Sequence, residues 1–436
     1  MRDTERWDWD IGRREISDVG RWPGQFGRVE EPEISPDGER VAAVIRNGDD
    51  EYGVCENGRA WEGAAYDRVW HLRYAPDGRL TALVSDMGEW TVAEDGTLWE
   101  TRAEFVWNQM CARNGGPVSA AAQSGRKYFA ITDGVPWENR FADMAGLTVS
   151  QDGARAAAVV QTVPFGEADI FTFEQGCYTV AADGKAWDRN FVSLWDPVFS
   201  PDGRRVAASV RLTLCDQTVA TDGVPWDSTY PCVWEPGFSP ADGAVTAPVR
   251  IGGSWTMARE GARIWDRSFA QVWHHVHSPD GRGIAAIVAR EFGRWTVAVN
   301  GAAWWHTFGD FVTDAVFSPD GLRIACVASD EGKVTVVADD SPWDIAADRV
   351  WAPTFSPDGT RVAARTETDG KYRIFLDGKP VGEPCGMLAD PVFSPDGGEL
   401  LVRGVAGTGE DAVCFRQVAE VGSEKCRAGF RCPAPT

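Results

Sequence analysis

The chain has 436 residues, and 43% of them are hydrophobic, which is enough for a large buried core. Its formal net charge of −22 argues against nucleic acid and anionic lipid surfaces as direct partners, because both are negatively charged. No apolar run approaches the roughly 18 to 20 residues that a membrane-spanning helix needs, and the first residues lack the apolar core of a signal peptide. The ten cysteines include no Cys-x-x-Cys pair, a pattern typical of reduced, buried thiols in a cytoplasmic protein.

The sequence Phe-Ser-Pro-Asp-Gly at residues 317–321 recurs, intact or altered, from one end of the chain to the other. Its Asp position is occupied by Asp37, Asp77, Asn114, Asp152, Asp202, Asp242, Asp280, Asp320, Asp358 and Asp396. Neighbouring copies are 37 to 40 residues apart, except for one interval of 50 residues. Proline fixes φ for the first half of a turn, and glycine supplies the positive φ that a reversing chain needs. The chain is therefore predicted to consist of ten copies of one supersecondary unit.

The unit between Phe317 and Trp351 shows the predicted elements in order. Strand-like runs cover residues 323–328 and 334–337, a tight turn follows at residues 339–340, and a last extended stretch ends at Trp351. The next copy of the turn begins at once, and no segment of the chain shows helical periodicity. Four short antiparallel strands, repeated about every forty residues, are typical of propeller blades. We therefore predict an all-β fold, a β-propeller of about ten four-stranded blades.

Tryptophan recurs at fixed places in the unit. One set follows the turn after the third strand and comprises Trp61, Trp99, Trp137, Trp187, Trp226, Trp265, Trp304 and Trp343. A second set precedes the Ser-Pro-Asp-Gly turn and comprises Trp70, Trp107, Trp195, Trp234, Trp273 and Trp351. A functional interpretation makes these sets a ligand-stacking or electron-relay system. Their periodicity favours a structural one, in which one large residue per blade fills the gap to the next blade.

The ends of the chain predict how the ring closes. The last unit supplies strand-like runs only at residues 399–405 and 412–418. The N-terminal residues 18–22 match the turn that precedes the last strand of the other units, because Trp22 stands 13 residues before Ser35, as Trp226 does before Ser239. We predict that this segment completes the tenth blade, with Trp22 in its outer strand, and removes the open sheet edges.

The predicted domain organisation follows from this closure. Residues 1–420 are predicted to form one closed ten-bladed propeller, and residues 421–436 to form a C-terminal tail. Two five-bladed propellers are the alternative architecture.

The two faces of such a ring differ in character. Tight turns lie on one face, which we call the turn face, and the longer connections lie on the other, which we call the loop face. The interval of 50 residues reflects an insertion at residues 161–176, between the second and third strands of its blade. Loops carried on a rigid scaffold are the usual places for recognition.

A protein partner is predicted to bind the loop face through nine residues. They are the apolar residues of the insertion and a set of loop carboxylates: Phe165, Ile170, Phe171, Phe173, Asp49, Asp50, Glu51, Asp330 and Glu331. The four apolar residues have no repeat position that would bury them, and apolar residues beside charges are typical of an interface core with a polar rim. Two alternatives stay open: an acidic rim that only maintains solubility, and an insertion that covers its own blade.

Chemical motifs are sparse in the sequence. His274, His275 and His277 are close together, but on a strand only His275 and His277 share a face. His277 also occupies a position that is Phe in other units, which favours a core substitution over a metal ligand. Motifs for haem attachment, iron–sulfur ligation, a serine nucleophile, a P-loop or dinucleotide binding are absent. We assign no catalytic, cofactor-binding or metal-binding residue, and we leave Cys426 and Cys432 open as a disulfide or metal-binding pair.

The Phe-Ser-Pro-Asp-Gly turn followed by Arg-Val-Ala-Ala resembles the WD40-like propeller repeat of TolB and its relatives, over residues 16–420. This resemblance implies the fold and says little about function. The tryptophan at the third-strand turn, together with length, acidity and the missing signal peptide, is similar to the TmcD family. These are the tryptophan-rich subunits of the transmembrane redox complex (Tmc) of sulfate-reducing bacteria.

The second resemblance implies a cofactor-free scaffold subunit of an electron-transfer complex. Such a subunit lies in the cytoplasm, peripheral to the inner membrane through its partners. The implied partners are an iron–sulfur subunit resembling heterodisulfide reductase and a membrane cytochrome b subunit, linked to a periplasmic cytochrome c. Two other function classes stay open, a free-standing soluble protein–protein adaptor and a propeller hydrolase or lactonase-type enzyme. An enzyme would show His or carboxylate side chains converging with a bound metal in the central channel.

Overall fold

Ten antiparallel sheets follow one another along the chain, and we number them as blades 1 to 10. The computed structural model describes residues 4–48, 51–62, 65–166 and 169–422. Clusters of buried apolar side chains fill the contacts between consecutive blades, including those between blades 5 and 6 and between blades 10 and 1. The prediction of one ten-bladed, all-β propeller is therefore confirmed, and the alternative of two five-bladed rings does not hold.

Each blade contains four strands in meander order. The first strands are Arg28–Val29 with Glu33–Ile34, Arg68–Tyr74, Phe105–Cys111, Met144–Val149, Ser193–Phe199, Gly237–Phe238, Gln271–His277, Phe311–Phe317, Arg349–Val350 with Thr354–Phe355, and Met387–Leu388 with Val392–Phe393. The second strands are Val41–Asn47, Leu80–Asp86, Val118–Ser124, Ala156–Gln161, Val206–Arg211, Val245–Ile251, Ile284–Ala289, Ile324–Asp330, Val362–Thr368 and Glu399–Ala406.

The outer half of each blade is made by its third and fourth strands. The third strands are Glu51–Glu56, Glu89–Glu94, Lys127–Thr132, Tyr178–Ala182, Gln217–Thr221, Ser254–Arg259, Trp295–Val299, Lys333–Ala338, Lys371–Leu376 and Val413–Glu420. The fourth strands are Arg59–Ala60, Thr97–Leu98, Val135–Pro136, Lys185–Ala186, Val224–Pro225, Ala262–Arg263, Ala302–Ala303, Ser341–Pro342, Lys379–Cys385 and, in blade 10, Gly12–Ser17. First strands of neighbouring blades lie beside each other, which places them around the central channel.

The strand order within a unit corrects one sequence assignment. The sequence pattern assigns the stretch that ends at Trp351 to the eighth unit, as its last strand. In the structure, Arg349 and Val350 pair instead with Glu367 and Thr366 of blade 9. The Ser-Pro-Asp-Gly turn joins this stretch to the next strand as a tight hairpin, whereas a longer segment separates it from the preceding unit. The stretch before each such turn is therefore the first, innermost strand of a blade.

The Ser-Pro-Asp-Gly turn is held by hydrogen bonds among its own residues. In blade 8 the buried Ser318 hydroxyl donates to Asp320 Oδ1 at 2.5 Å, and the Gly321 amide donates to the Ser318 carbonyl at 2.9 Å. The bond from Ser318 is the main reason why the pKa of Asp320 is lowered. The same Ser-to-Asp bond occurs at Asp37, Asp152, Asp202, Asp280, Asp358 and Asp396. These aspartates have a structural role.

The tryptophans that follow the third-strand turns pack against the next blade. A methyl group built on Gly134 would lie 3.5 Å from the Trp99 ring of the preceding blade. The same pairing joins Trp61 to Gly96, Trp137 to Gly184, Trp187 to Gly223, Trp226 to Gly261, Trp265 to Gly301 and Trp343 to Gly378. Asp133 and Gly134 both have positive φ, at 49° and 76°, as a two-residue hairpin of type I′ requires. The structural interpretation of this tryptophan set is confirmed.

Arginine side chains also connect neighbouring blades on the turn face. Arg155 Nη1 donates to the Gly203 carbonyl of the next blade at 2.8 Å, and Arg323 Nη1 donates to the Gly359 carbonyl at 3.1 Å. Arg40, Arg79 and Arg205 make the equivalent bonds to Gly78, Gly116 and Gly243. Each of these bonds fixes a turn of one blade to the blade before it.

The N-terminal segment completes blade 10. Strand Gly12–Ser17 pairs with Val413–Glu420, and Arg14 lies opposite Arg416. Arg416 is only 2% exposed and pairs with Glu39 of blade 1 at 2.8 Å and with Asp8 at 3.6 Å. Carboxylates from the N-terminal segment and from blade 1 thus neutralise a buried cation of blade 10.

Trp22 does not lie in the outer strand, which corrects the prediction for this residue. It begins the short helix Trp22–Phe26, where Pro23 is favoured because the first helical turn needs no amide donor. Its indole still packs against a hairpin glycine of the next blade, as the other tryptophans do. Its Nε1 would lie 3.3 Å from a methyl group built on Gly58 of blade 1. The match between Trp22 and the repeated tryptophan therefore reflects equivalent packing.

Helices are few and short. The described α-helices are Trp22–Phe26 and Ile170–Gln175, and the described 3₁₀ helices are Thr4–Arg6, Val19–Arg21 and Gly409–Asp411. Helix Ile170–Gln175 corrects the expectation that no segment is helical; Asp169 caps it by accepting a hydrogen bond from the Thr172 amide at 3.0 Å. Within the part of the chain that the structure describes, no helix has the length and apolar character needed to cross a membrane.

Candidate partner-binding face

Several connections between second and third strands present exposed apolar side chains on the loop face. These side chains are Met87 in blade 2, Ile170 and Phe171 in blade 4, Leu214 in blade 5, Ile251 in blade 6 and Phe292 in blade 7. Blades 4 to 7 are consecutive in the ring, so their five side chains form an arc, which we call the apolar arc. Isolated exposed apolar residues are common, whereas equivalent ones on four neighbouring blades are typical of a contact surface.

The insertion of blade 4 is partly packed and partly exposed. The rings of Phe165 and Phe173 lie 5.8 Å apart, and Phe165 meets Tyr178 edge-on at 6.3 Å. These two phenylalanines cover their own blade, so the expectation that no position buries them needs correction. The sequence alone does not show that the Tyr178 ring lies beside Phe165. Ile170 and Phe171 are 63% and 80% exposed on the helix and remain available to a partner.

Blade 7 adds cationic and aromatic groups to the end of the arc. An open cleft of about 180 Å³ is lined by Arg290, Glu291, Arg294, Trp305 and Thr307. The Arg290 guanidinium donates to the carbonyl of Trp304, and Asp340 Oδ2 accepts a hydrogen bond from the Trp305 amide at 2.7 Å. The indole of Trp305 itself is exposed. Tryptophan and arginine are enriched in the energetically dominant positions of protein interfaces.

The acidic residues predicted to assist binding lie in separate blades of the loop face. Glu51 begins the third strand of blade 1, and Asp330 and Glu331 lie at the connection after the second strand of blade 8. Asp49 and Asp50 lie outside the described residues. Blade 8 follows the apolar arc directly, whereas blade 1 is three blades before it. The structure thus brings the blade 8 carboxylates next to the arc, but it does not gather all predicted residues into one site.

Sequence reasoning missed three members of the arc, Leu214, Ile251 and Phe292. Each is an apolar residue at an ordinary short break between two strand-like runs, so no change in repeat length draws attention to it. A comparison of the breaks across the ten units would have shown that apolar residues concentrate in neighbouring copies. Phe171 and Ile170 were identified because the insertion interrupts the period.

The histidines of blade 7 have the arrangement that strand geometry predicts. His275 and His277 both direct Nε2 toward Thr246 Oγ1 of blade 6, at 2.9 and 3.1 Å. His274 lies apart from them, with Nδ1 3.3 Å from Glu235. Burial lowers the pKa of His275 to about 3 and the pKa of His277 to about 4, so both rings are neutral near pH 7. The neutral pair belongs to the packing between blades 6 and 7.

A second group of titratable side chains lies on the innermost strands. Irregular pairing in the first strands of blades 5 and 7 places Asp196 and His274 at positive φ, 54° and 47°. The His274 amide donates to Glu235 Oε1 at 2.7 Å. Partial burial is the main reason why the pKa of Asp196 is raised, and the negative charge of Glu235 raises it further. The fold therefore brings together three residues of neighbouring blades, of which the sequence analysis considered only His274.

Within residues 4–48, 51–62, 65–166 and 169–422, no three or more His, Cys, Asp and Glu side chains are arranged to hold a metal ion. Cys426 and Cys432 lie outside those ranges. The strand cysteines Cys55, Cys326 and Cys414 are buried, as the sequence pattern predicts, whereas Cys215 lies in a connection and is exposed.

No family model matches the chain, and no curated protein matches it in sequence. Similar solved structures include a eukaryotic initiation factor, with 14% identity over 74% of this chain and 89% of that one and a TM-score of 0.48. The Dos1 propeller has 10% identity over 86% and 96% of the two chains, with a TM-score of 0.38. TolB from Acinetobacter baumannii has 15% identity over 72% and 78%, with a TM-score of 0.29.

Structural similarities with such low identities and TM-scores do not indicate a function. They also do not support the closer resemblance to the TmcD family. The fold rests on the observed sheets, their repeated turns and the closure of the ring. The chain is a ten-bladed β-propeller built from repeated four-stranded antiparallel sheets.

Proposed function

We propose that the protein is a non-catalytic scaffold that binds partner subunits through the apolar arc of its loop face. The observation that carries this proposal is the exposure of apolar side chains at equivalent places in four consecutive blades, with Phe171 and Phe292 the most exposed. Covering such side chains contributes about 25 cal/mol for each Å² of apolar surface removed from water. The rigid ring holds most of the loops in place before binding, which lowers the entropy cost of ordering them.

The partners that we propose are those implied by the family resemblance. They are an iron–sulfur subunit resembling heterodisulfide reductase and a membrane cytochrome b subunit of an electron-transfer complex. In this arrangement the protein lies on the cytoplasmic side, peripheral to the inner membrane through its partners, and carries no cofactor of its own. A net charge of −22 favours contact with basic protein surfaces over contact with anionic lipid.

The test is a matched pair of variants expressed in native cells with an affinity tag. The double variant Ile170→Ser/Phe171→Ser removes apolar surface from the arc, and the control Leu322→Ser removes it from the turn face, where Leu322 is 83% exposed. Partners recovered from solubilised membranes are quantified by protein bands, haem absorption and iron content. We expect the double variant to retain about tenfold less partner and the control to retain the wild-type amount.

Two outcomes would contradict the proposal in different ways. Full retention of the partners by the double variant would remove the apolar arc from consideration. Partners that appear only in the soluble extract, without haem or iron, would reject the redox complex and favour a free-standing adaptor.

A hydrolytic enzyme is the second candidate, and one observation favours it. Asp196, Glu235 and His274 meet on the innermost strands, and the contact with Glu235 would orient His274 as a general base. Hydrolysis of esters or lactones by the purified protein, lost in His274→Ala, would support this candidate. Equal rates for the wild type and His274→Ala would reject it.

A further inference from the structure

Two hollows border the first strand of blade 1, one on the loop face beside blade 10 and one between the innermost strands of blades 1 and 2, and Glu30 lines both. The first hollow has a volume of about 430 Å³, and its apolar lining includes Val19, Trp22, Val29, Pro32 and Val405. The second has a volume of about 370 Å³ and is lined on one side by Val69, Trp70 and Leu72. We call the two hollows together the seam groove, because the first one lies where the N-terminal segment closes the ring.

The floor of the seam groove is held in place by contacts between the N-terminal segment and blade 10. The Gly20 amide donates to the Ala412 carbonyl at 2.8 Å. A methyl group on Gly20 would lie 2.6 Å from the Glu410 carbonyl oxygen, so only glycine permits this approach. On the other side of the groove, Trp70 is 51% exposed while its ring contacts Trp90 at a centroid distance of 4.3 Å. An aromatic ring that is held in place and still exposed is well suited to contact a ligand.

The rim of the seam groove is acidic. The described residues that line the two hollows include four glutamates, Glu30, Glu31, Glu33 and Glu410, and neither lysine nor arginine. Partial desolvation and then the charge of Glu31 raise the pKa of Glu33, although Arg73 nearby acts in the opposite direction. The carboxylates of these glutamates repel one another, and a cation that binds beside them reduces this repulsion.

We infer that the seam groove binds a partner segment in which apolar side chains are interspersed with lysine or arginine. The inference rests on the proposed scaffold function, because the occupant is a protein, but it concerns a different surface from the apolar arc. The larger hollow has room for one or two apolar side chains, and the basic residues pair with the glutamates of the rim. An anionic lipid or acidic peptide would meet repulsion, and a neutral apolar molecule would add no counter-charge to the glutamates of the rim.

The experiment uses the isolated full-length protein and a random peptide library displayed on phage. Selected peptides are synthesised, and their dissociation constants are measured by fluorescence anisotropy. We expect the peptides to combine apolar residues with Lys or Arg and to bind more weakly as salt concentration rises. Binding should weaken about tenfold or more for Glu30→Gln/Glu31→Gln and for Trp70→Ala. The control Glu138→Gln/Asp188→Asn makes the same charge change at exposed positions that follow the fourth strands of blades 3 and 4, and it should leave binding unchanged.

Several outcomes would overturn the inference. They are selected peptides without basic residues, peptides that bind Glu30→Gln/Glu31→Gln as tightly as the wild type, and failure to select any peptide. The scaffold proposal is judged separately by partner retention in native cells. Loss of partners in Ile170→Ser/Phe171→Ser together with a failed selection would reject the groove and keep the scaffold. Retained partners together with groove-dependent peptides would keep the groove and reject the arc.

Discussion

The two buried histidines of blade 7 determine part of the pH dependence of stability. Burial lowers the pKa of His275 to about 3 and the pKa of His277 to about 4, below the ordinary value of 6.5. As the pH falls, the unfolded chain therefore binds protons before the folded chain does. The stability associated with the neutral rings is complete above about pH 6.5 and is lost progressively as the pH falls toward the folded-state values.

Replacing His277 by phenylalanine tests this effect with a residue that other blades already use. The equivalent positions are Phe199, Phe238, Phe317, Phe355 and Phe393. Between about pH 7.5 and about pH 5, His277→Phe should lose on the order of 2 kcal/mol less stability than the wild type, because it has no ring to protonate. Urea unfolding midpoints at the two pH values measure the difference.

The comparison isolates His277 because the charged residues around it are the same in both proteins. Asp242 and Arg259, which influence its pKa, are unchanged in the variant. Carboxylates elsewhere titrate equally in both proteins, so their contribution cancels in the difference. Identical pH slopes for the two proteins would show that His277 is not the group responsible.

The contacts between blades depend on the tryptophan that one blade places over the hairpin glycine of the next. Trp265 is buried, and its ring lies against Gly301. Trp265→Ala should lower the free energy of unfolding by about 3 to 5 kcal/mol, because it leaves a cavity between two blades. Trp305→Ala removes an exposed indole and should change stability by less than about 0.5 kcal/mol. Equal losses in the two variants, measured by urea denaturation, would contradict the packing role.

Most elements of the blades could be predicted from the sequence because each repeats a local chemical signal. The Ser-Pro-Asp-Gly turns and the Asp-Gly hairpins define where strands reverse, and the apolar runs between them define the strands. The first strand was assigned to the wrong unit, since pairing partners are not visible in a single strand. The short helix Ile170–Gln175 was missed because one and a half turns are too brief to show a period.

The candidate sites were less predictable than the elements. The insertion was found because it changes the repeat length, and its exposed helix lies at the start of the apolar arc. Leu214 and Phe292 were not found, because a single apolar residue at a break has no signature without its spatial neighbours. Asp196, Glu235 and His274 lie in three different units, and only the irregular pairing of the first strands brings them together.

Closure of the ring by the N-terminal segment governs the stability of the whole molecule. Deleting residues 1–26 removes strand Gly12–Ser17, the Trp22 ring and the Asp8 carboxylate that pairs with buried Arg416. The deletion should lower the melting temperature by more than about 5 °C and cause aggregation, because it exposes a strand edge and weakens the pairing of a buried charge. Calorimetry and light scattering measure the two effects.

A point variant in the same segment provides the control. Arg21→Ala alters a side chain that is largely exposed and should leave the melting temperature within about 2 °C of the wild type. An unchanged melting temperature after the deletion would contradict the closure of the ring by this segment.

The pairing of the N-terminal strand with blade 10 also sets an order of events during synthesis. Asp8 and Arg416 are separated by 408 positions, so strand Gly12–Ser17 leaves the ribosome long before its neighbour in blade 10. At about 5 to 20 residues per second, it waits roughly 20 to 80 s for that neighbour to be made. A chain that stops before the third strand of blade 10 keeps an unpaired strand at one end and an open blade at the other. Only a chain translated through blade 10 can hide both edges, so closure separates chains that contain blade 10 from shorter ones before any partner is met.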